Sequence, residues 1–218
     1  MPSKHILASL LDIENLRKLC QSLAMLDAVM CESWDSRYCS FDSKWNVGEM
    51  LGTMRNGAGD EYYIYFSEYG AIIKGFDHES EMNLCDEPEE VWKGVLDAVP
   101  SEFDNFLQDD AFPREYTTFC LWNLNNNPKW QTGQIEYPND DEKADGSNWM
   151  LFLLDGSPET YRDWAKTYYN KEICLETVKK IYSCEPLSEE MVVKLNPKRN
   201  FADLTGDIEE IGYPKLNI

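Results

Sequence analysis

His78 has the densest set of chemistry-capable neighbours in the chain, in the run Asp77-His78-Glu79-Ser80-Glu81. Flanking carboxylates can orient and charge an imidazole, so this pattern suits a general base or a metal ligand. It defines one candidate function, a small hydrolase or metal-dependent enzyme centred on His78, Glu79 and Glu81. The only other histidine, His5, stands beside the N-terminus. A Ser-His-Asp or Cys-His arrangement would need one of these two rings, and no matching nucleophile stands out near either. No residue is therefore assigned as catalytic, and no cofactor or metal is expected.

A second run, Asp141-Glu142-Lys143-Ala144-Asp145-Gly146, imitates the opening of a calcium-binding loop. Lys143 takes the third ligand position and Phe152 stands where a bidentate glutamate is required, so the loop is read as a solvated one. Phosphate-binding and nucleophile-elbow motifs are absent: there is no Gly-x-x-x-x-Gly-Lys, no Gly-x-Gly-x-x-Gly and no Gly-x-Ser-x-Gly. The seven cysteines (20, 31, 39, 85, 120, 174 and 184) form no Cys-x-x-Cys pair, which disfavours a zinc ribbon or a dithiol redox motif. They read as free thiols of a reducing cytosol. Aromatics are abundant, with seven tryptophans and twelve tyrosines. In Tyr62-Tyr63-Ile64-Tyr65-Phe66 both faces of a strand are aromatic, and burial on both sides is the expected reason.

The elements that must position these groups follow from hydrophobic period. Leu16, Leu19, Leu23, Leu26 and Met30 recur at helical spacing, with Asp12 as N-cap and a shorter turn around 6–11. From Arg37 the period falls to two, giving strands at 38–41, 49–55, 62–66 and 71–76. Asn56-Gly57-Ala58-Gly59-Asp60 and Glu68-Tyr69-Gly70 are turns between them. Connections this short leave no room for a crossover, so the sheet is an antiparallel meander. Two short helices are expected at 88–99 and 101–107, the first opened by Pro88, with Trp92, Val95 and Leu96 facing the core. Strands follow at 116–122 and, as a continuous apolar run, at 149–154, with an edge segment around 130–137. Ser157-Pro158 opens a helix, and further helices at 175–182 and 188–195 precede an irregular tail with Pro197 and Pro214. The expectation is one α+β domain over 1–218, an antiparallel sheet packed with an N-terminal helix and several C-terminal helices.

Several blocks have a shared look: Trp34-Asp35, Arg37-Tyr38, Phe41, Trp45, Gly48-Glu49-Met50, Met54-Arg55-Asn56-Gly57, Gly59-Asp60 and Lys74-Gly75-Phe76-Asp77-His78-Glu79, with Thr117-Thr118-Phe119-Cys120-x-Trp122 and Asp155-Gly156-x-Pro158. Over roughly 34–165 the chain resembles a group of uncharacterised bacterial cytosolic proteins. The resemblance implies a bacterial source and a shared architecture, and it carries no catalytic residues over. In charge and size, without a shared motif, the chain is also similar to acidic immunity proteins that neutralise bacterial toxins.

Charge narrows the function classes further. Of 218 residues, 40 are acidic and 20 basic, net −20, with an isoelectric point near 4.4. Such a surface repels phosphate backbones and anionic lipids, so neither nucleic acid nor membrane is an expected partner. No apolar run reaches membrane-span length, and a cytoplasmic location is expected. The excess is concentrated: residues 77–115 hold thirteen acids against Lys93 and Arg114, net −11. Complementary fields steer association, so the leading expectation is an acidic binding protein, immunity-like, that recognises a basic protein partner. Its expected contact residues are Asp86, Glu87, Glu89, Glu90, Asp109 and Asp110.

Overall fold

The computed structural model describes residues 4–87 and 90–215. A short helix α1 (Lys4–Ser9) leads into α2 (Ile13–Met30). The Asp12 carboxylate accepts the Asn15 N–H at 3.0 Å, satisfying one of the orphan donors of the first turn of α2. Six strands follow: β1 (Cys39–Asn46), β2 (Glu49–Arg55), β3 (Glu61–Phe66), β4 (Gly70–Phe76), β5 (Phe119–Leu124) and β6 (Asn127–Thr132). They pair antiparallel in the spatial order β1-β2-β3-β4-β5-β6, as the short turns require. Gly57 and Gly59 hold φ of +75° and +114° in the β2–β3 turn, where side-chained residues are strained.

Alternation along the strands gives the sheet two apolar faces. Phe41, Met54, Tyr62, Ile64, Ile73, Phe119 and Leu121 face α2 and the C-terminal helices. Those helices are α5 (Pro158–Tyr168), α6 (Leu175–Tyr182), α7 (Glu189–Leu195) and α8 (Thr205–Ile211). Because α2 lies between sheet and helices, it is buried nearly all round from Leu19 onward. The opposite face presents Leu51, Tyr65, Ile72, Cys120 and Trp122 to a long excursion between β4 and β5, which contributes Met82, Val95, Phe103, Phe106 and Phe112. Both tyrosine-rich faces of β3 are thus in cores.

Two polar groups are spent on joining these layers. Asp27, in the last turn of α2 and fully buried, accepts the Cys39 N–H at 2.6 Å and the hydroxyls of Tyr169 at 2.9 Å and Tyr161 at 3.3 Å. Burial pushes its carboxyl up to about 6 even though all three donors pull the other way. On the other face Lys74 is 1% exposed, and its ammonium donates to the carbonyls of Phe112 at 2.9 Å and Pro113 at 2.6 Å. Burial draws that amine down to about 8.

Several local expectations are corrected. Residues 90–100 form turns instead of a helix, with Gly94 at φ +91° and Ala98 at +60°; Pro88 lies outside the described residues. The chain there turns flat against the segment after β6. The Lys93 carbonyl accepts the Glu136 N–H at 3.4 Å, and Trp92 donates its indole N–H to the Glu136 carbonyl at 2.7 Å. The apolar run 149–154 is helical, not a strand: a turn α4 (Ser147–Met150) continues into a 3-10 turn over Phe152–Asp155. Gly146 at φ +81° starts it, and Trp149 points out of the core, so the run is less uniform than its composition. The edge strand β6 begins and ends earlier than expected. The tail is ordered as α8, stopped by Gly212 in the left-handed region at φ +66°. Residues 101–107 do form a helical turn, ending in α3 (Asp104–Leu107). No helix among the described residues is long and apolar enough to cross a membrane.

Candidate functional site

The β2–β3 turn and the segment leaving β4 meet at His78. Asn56 begins the turn by accepting the N–H groups of Ala58 at 2.8 Å and Asp60 at 3.2 Å, and its amide donates to Asp60 Oδ2. Asp60 Oδ1 then accepts the His78 backbone N–H at 3.0 Å and pairs with His78 Nδ1 at 2.7 Å. The imidazole passes directly over Gly59, where an added Cβ would meet His78 Cγ at 3.3 Å. Burial acts to raise the Asp60 carboxyl, but the two His78 donors and Asn56 outweigh it and leave it below the ordinary value. The same hydrogen bond raises the His78 ring above 6.5. In the neutral ring the Nδ1 proton faces Asp60 and the Nε2 lone pair faces outward, from a side chain 39% exposed. That is the geometry of an oriented base.

Asp77 lies beside this pair and is buried. Its Oδ1 accepts the Glu79 N–H at 3.0 Å and its Oδ2 the Trp149 indole N–H at 2.9 Å. Gly146 packs so closely that a Cβ there would stand 2.5 Å from Asp77. Asp145, fully buried, accepts from Ser147 N at 2.9 Å, Ser147 Oγ at 2.7 Å and the Tyr137 hydroxyl at 3.3 Å, and burial raises its carboxyl.

Ligand atoms of Asp60, Asp77 and His78 all lie within 4.8 Å of one another, a spacing compatible with a cation. Yet all four carboxylate oxygens already accept hydrogen bonds, and an ion would have to replace the His78–Asp60 contact. The network as folded locks two loops together. Glu79 is 85% exposed with Oε1 4.0 Å from His78 Nε2, and Glu81 is exposed and outside the cluster. Of the trio read from sequence, His78 alone belongs to the constellation. Asp60 was the missing partner, 18 residues away. It was recoverable from the meander, because the pair Glu61↔Phe76 sets residue 60 beside residue 77. Trp149, 72 residues from Asp77, left no such signal.

The Asp60 contact gives a direct expectation. In an NMR titration the His78 ring should titrate above 6.5, and Asp60→Asn should move it down, since the amide keeps an acceptor but carries no charge. Identical titration curves would show that the carboxylate does not act on the ring.

The acidic residues expected to meet a partner occupy two turns. Asp86, Glu87 and Glu90 are exposed in the first, and Glu89 lies outside the described residues. Asp109 and Asp110 are exposed in the second, where Asp109 Oδ1 also accepts the Ala111 N–H at 2.8 Å. Among the described residues, none of these five carboxylates is in an ion pair with a lysine, arginine or histidine. The described cysteines are all free thiols.

Fold and site together define an α+β protein built on an antiparallel meander, with a histidine–aspartate dyad at one end and an acidic cover on one face. No protein-family model matches the chain, and no curated protein or solved structure matches it either.

Proposed function

We infer that the protein is an acidic interaction protein whose partner is a basic protein, recognised through the 77–115 excursion. The observation that carries this reading is the set of five exposed carboxylates, Asp86, Glu87, Glu90, Asp109 and Asp110, that make no ion pair among the described residues. Surface charges left without counter-charges cost little in water and project a field that accelerates encounter with a complementary surface. An immunity-like role, in which the acidic face covers a basic active surface, is the form of the reading that also agrees with the chain's size and net charge.

The test is association with a basic partner isolated from native lysate. Asp86→Asn, Glu87→Gln, Glu90→Gln, Asp109→Asn and Asp110→Asn, combined, should slow association several-fold at low salt and flatten its salt dependence. Asparagine at 109 keeps the acceptor that shapes its turn, so the fold is retained. Equal rates and equal salt slopes would reduce these residues to a solubility device.

A second reading rests on the outward Nε2 of His78, oriented by Asp60: a small hydrolase in which the ring activates water. Hydrolysis of simple ester substrates that disappears in His78→Gln would favour it over the first.

A further inference from the structure

The face of the sheet under the excursion is covered unevenly. The cover closes over β3 to β5, with Phe106 stacked on Tyr65 at a centroid distance of 4.9 Å. It ends at Phe112, whose ring meets Tyr63 at 4.7 Å and Trp45 at 5.7 Å. Over β1 and β2 a groove of about 230 Å³ is left between Phe112 and the 3-10 turn that carries Trp34. Its volume is below the roughly 300 Å³ at which sites for whole small molecules begin, so it has room for one side chain. Trp34 and Trp45 are 45% and 40% exposed at its rim, although large aromatics usually bury themselves.

Two carboxylates line the same groove, Asp42 from β1 and Glu210 from α8. Asp42 accepts one backbone N–H, from Lys44 at 2.7 Å. The Glu210 carboxylate has no ion pair among the described residues, whereas the neighbouring Asp207 is paired with Arg37 at 2.6 Å and Arg199 at 3.3 Å. Partial burial, then repulsion from Asp42 and Asp207, raises the Glu210 carboxyl above its ordinary value. A cation entering here would relieve that repulsion. The one cation among the residues lining the groove, Arg55, is engaged at its rim, where its guanidinium carbon lies 4.4 Å from the Trp34 ring centroid, and it makes no ion pair with Asp42 or Glu210 among the described residues. This contact also shows that the local surface accepts a guanidinium over an indole face.

We propose that the groove is the seat of an arginine side chain from the basic partner, stacked on Trp45 and Tyr63 and facing Asp42 and Glu210. Guanidinium suits the site better than ammonium because it is planar, weakly hydrated and stacks on aromatic faces. Trp, Tyr and Arg in a small desolvated pocket are also the residues that dominate binding energy at interfaces. The proposal rests on the reading of the protein as a binder of basic partners and adds where one anchor residue enters.

The probe is a short capped peptide with two arginines, compared with the same peptide carrying citrulline, the neutral isostere. Tryptophan fluorescence and calorimetry report binding. The wild-type protein should prefer arginine to citrulline at least tenfold. Trp45→Leu, which keeps the net charge, should lose at least tenfold, while Trp45→Phe stays within about threefold. Asp42→Asn with Glu210→Gln should also lose at least tenfold. Any peptide affinity that remains unchanged in Trp45→Leu, or that fails to distinguish arginine from citrulline, overturns the groove. That failure is separable from failure of the partner reading, which is judged only by the salt slope of the five-carboxylate variant with the native partner.

Discussion

Asp27→Asn should gain stability relative to the wild-type protein as the pH rises from 4 to 7. The Asp27 carboxyl lies at about 6 in the folded chain against an ordinary 3.8, because burial penalises its charged form more than its hydrogen-bond donors favour it. A raised folded value means that the contribution is fully present below the unfolded value and is lost as pH rises through the folded one. About two pH units at about 1.36 kcal/mol each set a ceiling near 3 kcal/mol on that loss. Asparagine cannot ionise, so the stability difference between the two proteins isolates this group from all other carboxylates. The Tyr161 and Tyr169 hydroxyls can turn to accept from the amide, and the Cys39 N–H keeps an acceptor. Chemical denaturation of both proteins at pH 4, 5, 6 and 7 measures the difference, and a constant gap would exclude an uncompensated charge at this position. Asp27→Ala behaves differently, leaving three buried donors without a partner and costing about 3 kcal/mol or more at any of these pH values.

Gly75→Ala should be strongly destabilising although it adds a single methyl group. Gly75 pairs with Phe119 across β4 and β5, and the Phe119 ring lies over it with no exposed surface. An alanine Cβ would stand 2.0 Å from Phe119 Cζ and 2.4 Å from Cε1, so the ring has to leave a position packed on every side. Overpacking of this kind costs about 3 kcal/mol. Gly52→Ala is the internal control, since its added Cβ would meet Phe41 at an ordinary 3.4 Å and should cost under about 1 kcal/mol. In a double-mutant cycle, Phe119→Leu should recover at least about 1 kcal/mol of the Gly75→Ala loss by shortening the clashing group. Additive losses would place the strain elsewhere.

These two positions mark what the sequence makes legible. The meander follows from period-two runs joined by turns too short for any alternative, so Gly75 could be set in a strand without coordinates. That Phe119 fills the space above Gly75 depends on a pairing across the long excursion, which no local pattern encodes. Likewise α2 is evident from its leucine spacing, but the burial of Asp27 within it reflects a layer of C-terminal helices on its far side. The misread run at 149–154 has the same origin. A short, wholly apolar segment satisfies strand and helix patterns alike, and the choice is made by Gly146 in the left-handed region and by the turn that the Ser147 N–H closes on the Asp145 carboxylate. At the site, His78 is conspicuous by rarity, while Asp60 and Asp77 are two acids among forty, distinguishable only once they are seen to be buried.

The excursion between β4 and β5 leaves and re-enters the sheet at adjacent points. Thr118 donates its N–H to the Gly75 carbonyl at 2.8 Å, and its hydroxyl accepts the Asp77 N–H at 3.1 Å. Its roots are therefore stapled, and its returning arm is held to the sheet through the Phe112 and Pro113 carbonyls on Lys74. Such a flap can detach as its own cooperative unit, since no strand register has to break for it to lift. Once lifted, the Lys74 amine regains water and its full basicity, so the detached state takes up protons that the seated state sheds at about pH 8. A rise in pH from about 8 toward the ordinary lysine value of 10.5 then tightens this flap by discharging its own anchor.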